Sequence, residues 1–216
     1  MLDINLHRQT MLLVLKAIYS NPLIGSNLGF KGGTAAYLLH NLPRFSVDLD
    51  FNLLDPAKEN QIFVDMQKIL KPFGTLEDAS NKHFTLFYLL GYKSGLQKLK
   101  IEISKRAILS QYEIKPFLGI SMQVMATPDM FANKLIALTE RRKLANRDIF
   151  DIHYFLKQNW IPNIKLIEDH TSLTYKQYLQ KCIDTIEKIA PESVLANMGE
   201  LVDNKTKFWI KNHLKE

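Results

Sequence analysis

Between residues 45 and 53 the chain alternates apolar and polar side chains without a break. Val47, Leu49 and Phe51 fall on one side and Ser46, Asp48, Asp50 and Asn52 on the other. Period-two alternation of this length specifies a half-buried strand. Residues 96–104 repeat the pattern, with Leu99, Ile101 and Ile103 opposite Lys100, Glu102 and Ser104. Residues 83–92 form a third, aromatic strand, and Lys93-Ser94-Gly95 supplies a hairpin turn between it and the next. Residues 120–125 give one more strand. A sheet with one buried face follows, and its other face carries acidic residues.

Helical periodicity marks residues 7–19, stopped by Asn21-Pro22, and residues 56–71, closed near Pro72-Phe73-Gly74. Residues 25–29 read as loop, and Gly32-Gly33-Thr34 opens a short helix ended by Asn41 and Pro43. From Thr127 the character changes. Thr127 reads as an N-cap before Pro128, and the remainder reads as helix over 128–142, 147–158, about 172–189 and 191–213. The expected fold class is α+β. An α/β domain with a small mixed sheet spans 1–125, and a helical domain spans 126–216.

Length and composition narrow the function. With 216 residues, 46% hydrophobic and 23% charged, the chain is an ordinary globular protein. No apolar run approaches the ~18 residues needed to span a bilayer, so no membrane partner is expected. A single cysteine, Cys182, excludes an internal disulfide framework and fits a reducing cytoplasm. The formal charge of +6 favours a polyanionic partner. The positive charge is gathered at Lys93, Lys98, Lys100, Lys105 and Arg106, and again at Arg141, Arg142, Lys143 and Arg147. Either cluster could equally be a solvated face.

Asp48 and Asp50, two apart on a strand, project from one face about 7 Å apart at the backbone. Like charges that close favour a cation between them, and Mg²⁺ commonly takes one or two carboxylates together with substrate phosphates. Gly32 and Gly33 at a helix start let backbone amides approach phosphates, and the Thr34 hydroxyl offers a further donor. The pattern is no Walker A loop. Glu102, on the polar face of another strand, is a candidate third carboxylate for a site of one or two metal ions. Each piece taken alone is more often structural: a DxD as surface decoration, a Gly-Gly as a turn, Glu102 as the partner of Lys100.

The motifs KGGT at 31–34 and RFSVDLDF at 44–51 resemble those of the AbiEii/AbiGii-type toxin family of nucleotidyltransferases. That family lies within the polymerase-β-like superfamily and acts in bacterial toxin–antitoxin and phage-defence systems. FANKLIAL at 131–138 and RDIFDI at 147–152 extend the resemblance over roughly residues 28–155. The resemblance implies that Gly32, Gly33, Thr34, Arg44 and Ser46 serve the nucleotide, and that Asp48, Asp50 and Glu102 serve the metal. Lys134 would meet the triphosphate, and Asp148 would be the final catalytic aspartate. As a helix-start residue Asp148 also has a plain dipole explanation, and His153 and Asp151 have plain packing ones.

The activity so implied is Mg²⁺-dependent transfer of a nucleoside monophosphate from an NTP, bound between the two domains, to an acceptor. That acceptor would be RNA, in particular a tRNA 3′ end, and a cognate antitoxin would be a protein partner. The alternatives are a protein acceptor, a non-catalytic RNA- or antitoxin-binding protein, and a metal-dependent nuclease using the same carboxylates.

Overall fold

The computed structural model describes residues 1–106, 109–141, 145–190, 193–196 and 198–214. In chain order these form α1 (Ile4–Ser20), α2 (Pro22–Gly25), β1 (Leu28–Lys31), α3 (Gly32–Leu39), β2 (Asp48–Leu53) and α4 (Glu59–Leu70). Five strands follow: β3 (Thr75–Lys82), β4 (Thr85–Gly91), β5 (Leu99–Ser104), β6 (Tyr112–Phe117) and β7 (Ile120–Met125). The rest is helical, with α5 (Thr127–Glu140), α6 (Asn146–Lys157), α7 (Ile164–Thr171), α8 (Tyr175–Glu187) and α9 (Asn204–His213). The chain clusters into two compact units. One comprises Met1–Asn41, Phe45–Ala107 and Tyr112–Met125, the other Leu42–Arg44, Ile108–Gln111 and Ala126–Glu216.

In the first unit one mixed sheet runs in the order β3-β4-β5-β2-β1-β7-β6. It is larger than the small sheet expected, because three strands were not anticipated. β1 is four residues long with a glycine inside it, β3 (TLEDASNK) is mostly polar, and β6 contains Pro116. β3 and β6 are the two edges, where polar residues and a proline are tolerated. β4 and β5 pair antiparallel as their spacing suggested, while β2 pairs parallel to β5 and antiparallel to β1.

The register decides what shares a face. Phe30 opposes Phe51, Leu49 opposes Ile101 and Phe51 opposes Ile103, all fully buried. Burying side chains of this size contributes about 1.5–3 kcal/mol each. α1 joins this core through Met11, Val14, Leu15 and Ile18, a helical stripe with no exposure. Asp3 fixes the start of α1 by accepting from the Leu6 amide at 3.0 Å. On the opposite side of the sheet the same register lines up Lys31, Asp50 and Glu102 in one row and Asp48 with Lys100 in the next.

In the helical unit Pro128 does sit in the first turn of α5, but Thr127 is a helical residue and Ala126 occupies the cap. Asp129, in the first turn, instead ties the helix start to neighbouring segments, accepting from the Gln111 amide and from Asn163 Nδ2. α8 opens on a capping box between Thr174 and Gln177. It is held to α5 by the buried Tyr178, whose hydroxyl donates to the Leu135 carbonyl at 3.1 Å and shares a 2.6 Å hydrogen bond with Thr139. The segment expected as helix over 172–189 is α8 with α7 separate before it. Of 191–213, only Asn204–His213 is α-helix among the described residues.

Candidate active site

α3 starts where β1 ends, and its first residue is the pivot. Gly32 has φ of +79°, a conformation that a side chain disfavours. A Cβ there would lie 2.7 Å from Asp50 Oδ2. The glycine motif and the DxD strand are therefore in direct apposition. Lys31, at the cap position, offers no side-chain hydrogen bond to the helix start. The first amides of α3 thus keep their capacity to bind an anion beside the carboxylates.

Thr34 has a different task from the one its motif suggested. It is fully buried, and its hydroxyl hydrogen-bonds the Asp48 carbonyl and, at 2.8 Å, the Ser46 hydroxyl. Thr34 and Ser46 together tie α3 to the backbone of the first aspartate. A buried hydroxyl engaged twice is a strut rather than a free donor.

Asp48, Asp50 and Glu102 do share a face, yet cations lie among them. The Lys100 ammonium is 3.2 Å from Asp48 Oδ2 and 3.2 Å from Glu102 Oε2. Burial lowers the Lys100 pKa, but the charges of Asp48, Glu102 and Asp50 outweigh it, and the net shift is upward. Lys31 is shifted the other way, chiefly by burial, against the pull of Asp50. As arranged, no group of three or more His, Cys, Asp or Glu side chains among the described residues could hold a metal ion. Lys100 stands between Asp48 and Glu102, where a trio would have closed. The pair Asp48 and Asp50 remains, and two carboxylates completed by substrate phosphates fit the chemistry of Mg²⁺.

His7 secures the strand from the side of α1. Fully buried, its Nε2 donates to the Val47 carbonyl at 2.9 Å while its Nδ1 accepts from the Tyr92 hydroxyl at 2.8 Å. The Val47 carbonyl fixes Nε2 as a donor, and burial favours the neutral ring. Burial lowers the His7 pKa against the opposing pull of the Val47 hydrogen bond and Asp48. His40 and His153 are lowered likewise, chiefly by burial. Groups whose folded pKa is depressed stabilise fully above their unfolded value of 6.5, and that stability is lost as pH falls through the folded value. Urea midpoints are expected to fall between pH 7.5 and pH 5.5, before carboxylates titrate. His7→Asn should be less stable at pH 7.5 and show a flatter slope, and equal slopes would rule out His7 as a contributor.

The helical unit gathers a second charged cluster. Arg44 grips Asp151 through two hydrogen bonds of 2.6 Å, from Nε to Oδ1 and from Nη2 to Oδ2. Lys134 Nζ lies 2.8 Å from both Asp148 Oδ1 and Asp151 Oδ2. Arg141 Nε approaches Asp148 Oδ2 at 2.9 Å, an ion pair by distance that lacks hydrogen-bond geometry. Both carboxylates are fully buried. For Asp151, burial raises the pKa, but Arg44 and Lys134 outweigh it and hold it below the usual carboxylate range. Among the described residues three cations face two carboxylates here, leaving a surplus positive charge.

The structure thus brings together Gly32, Thr34, Ser46, Asp48, Asp50 and Glu102 in one unit and Arg44, Lys134 and Asp148 in the other. The motif at 44–51 is divided between the two units, with Arg44 counted in the helical one. Lys31, Lys100, His7 and Asp151 were not anticipated as parts of these clusters. Alternation did place Lys100 on the acidic face. The cationic segment 93–106 proves largely neutralised: Lys98 pairs with Glu77, Lys100 with Asp48 and Glu102, and Lys105 with Glu59. Of the other cluster, Arg142 and Lys143 lie outside the described residues.

Comparison with known proteins agrees with the fold. The chain resembles the structure of JHP933 from Helicobacter pylori, with 20% sequence identity and a TM-score of 0.59, over 100% of this chain and 92% of that one. It also resembles an antigenic nucleotidyltransferase-like protein from Paracoccidioides brasiliensis, with 15% identity and a TM-score of 0.52, over 85% and 89% of the two chains. At these identities the likeness establishes the fold. No curated protein sequence matches. The model of the nucleotidyl transferase AbiEii toxin family of type IV toxin–antitoxin systems matches residues 13–207. That span includes the glycine turn, the paired aspartates and the buried lysine–aspartate cluster alike, and the chain belongs to the AbiEii nucleotidyltransferase toxin family.

Proposed function

We propose that this chain transfers a nucleoside monophosphate from an NTP to an RNA 3′ end, with tRNA as the substrate class, in a Mg²⁺-dependent reaction. The observation that carries the reading is the apposition of Gly32 and Asp50: an uncapped helix start lies against a pair of carboxylates on one strand face. Amides at the helix start suit the phosphates, and Asp48 and Asp50 suit a divalent cation shared with them. Mg²⁺ held there would neutralise charge building on the phosphoryl oxygens.

The chain's own residues do the rest by positioning. Thr34 and Ser46 fix the Asp48 backbone, His7 fixes Val47, and Gly32 permits the close approach. Lys100, now bridging Asp48 and Glu102, would exchange a carboxylate for a phosphate oxygen as the nucleotide binds. The acceptor hydroxyl oxygen forms the new bond to the α-phosphorus, the bond to pyrophosphate breaks, and the hydroxyl proton is released. In the helical unit, the surplus charge of Arg44, Lys134 and Arg141 over Asp148 and Asp151 suits an anionic substrate, in keeping with the phosphate role implied for Lys134. A cognate antitoxin is the protein partner that membership of the family suggests, and the cytoplasm is the compartment where NTP and tRNA meet. No helix among the described residues is long and apolar enough to cross a membrane.

The experiment is direct. Purified protein with Mg²⁺ and labelled NTPs should label a tRNA pool, and Asp50→Ala should abolish the label. Equal labelling by the two proteins would remove Asp50 from the active site, and strand scission in place of labelling would indicate a nuclease.

A further inference from the structure

The helical unit contains a pocket that none of the chemistry above uses. Its volume is about 400 Å³, and its walls come mainly from α6 and α9, with Pro43 and Gln158 completing them. On α6, Phe150, His153, Tyr154 and Lys157 are spaced i, i+3, i+4 and i+7, so they form a single stripe. Asp148, Ile152 and Phe155 belong to the buried side of the same helix, so α6 works in two directions. From α9 come Lys205 and Trp209, spaced i, i+4. Trp209 and His153 lie 4.5 Å apart with their planes at 42°.

The lining has a consistent chemistry. None of its residues is acidic, and neither Lys157 nor Lys205 forms an ion pair among the described residues. Most cations of the segment 93–106, by contrast, are already paired. Four aromatic rings and two ammonium groups outside any close ion pair, though Asp203 interacts electrostatically with Lys205, match a ligand that is flat at one end and anionic at the other. The volume falls in the range of small-molecule sites, which begins at roughly 300 Å³.

We propose that this pocket binds one nucleotide of a single-stranded RNA, with the base against the rings of Trp209, His153 and Tyr154 and its phosphate between Lys157 and Lys205. Stacking on aromatic side chains beside positive charge is how single-stranded nucleic acids are held without sequence readout. An acidic protein segment would be drawn by the lysines but would leave the flat aromatic wall unused. The inference deepens the proposed RNA acceptor and rests on that reading, although binding here needs no catalysis.

Trp160, stacked on Phe155 at 4.4 Å, is the chain's other tryptophan, so Trp160→Phe leaves Trp209 as the sole reporter. In that background an adenylate RNA hexamer should quench Trp209 fluorescence saturably. Adding Lys157→Gln with Lys205→Gln should weaken the affinity at least tenfold. Trp209→Ala in the wild-type chain, read by anisotropy of labelled hexamer, should weaken it as much. Asp50→Ala should bind the hexamer normally, which separates failure of this site from failure of the transfer reaction. Three results would each overturn the proposal: affinity untouched by all three pocket substitutions, equal quenching by inorganic triphosphate, or no response to RNA, the last leaving a protein segment as the occupant.

Discussion

Replacing Arg44 with alanine is expected to destabilise the helical unit by roughly 3–5 kcal/mol, the cost of removing one partner from a buried ion pair. Arg44 is 3% exposed and Asp151 not at all. Its two parallel 2.6 Å hydrogen bonds occupy both carboxylate oxygens, a geometry lysine's single ammonium cannot reproduce. After truncation Asp151 would keep only Lys134, which Asp148 also needs. Urea unfolding at pH 7.5 should show the loss, with Arg44→Lys intermediate. Adding Asp151→Asn to Arg44→Ala should recover part of it, because a neutral amide tolerates burial better than an unpaired charge. The depressed Asp151 pKa sets the sign with pH. Its contribution is full above the unfolded value of 3.8 and is lost as pH falls through the folded one. A loss under ~1 kcal/mol, the value of an exposed pair, would show that Asp151 is not held as a buried anion by Arg44.

Arg44 also shows where sequence reasoning stops. Its motif suggested a role at the nucleotide, whereas the structure assigns it to Asp151, more than a hundred positions later. Nothing local in residues 44–51 encodes that pairing. The alternation over 45–53 and 96–104, by contrast, correctly set Asp48, Asp50 and Glu102 opposite the apolar faces of their strands, because side-chain direction in a strand is a local property. Which acid opposes which residue depended on the parallel pairing of β2 with β5 across about fifty residues, and that put Lys100 opposite Asp48. Thr34 looked like a free donor until the fold closed over it. The missed strands differ in cause: β1 is too short to show a period, the edge strand β3 is mostly polar, and Pro116 interrupts the edge strand β6.

Gly32→Ala is expected to lose activity beyond what backbone strain explains. A non-glycine residue in the left-handed region costs about 1–2 kcal/mol, and Gly32 at φ +79° would incur it. Gly119, in the turn between β6 and β7, has the same φ of +79°. There an added Cβ meets nothing within 4 Å, whereas at Gly32 it would sit 2.7 Å from Asp50 Oδ2 and 3.1 Å from Asp50 Cβ. The second contact matters more, because swinging the carboxylate aside does not relieve it and the strand or the helix start must move. Both alanine variants should therefore lose stability in urea, Gly32→Ala the more because its clash adds to the shared backbone strain. Only Gly32→Ala should lose RNA labelling, by up to about a hundredfold, the ceiling set by a displacement of about 1 Å at reacting groups. Gly119→Ala serves as the control for backbone strain alone. Equal labelling by the two variants would mean that the apposition of glycine turn and aspartate strand carries no catalytic weight, and the proposed site would lose its principal support.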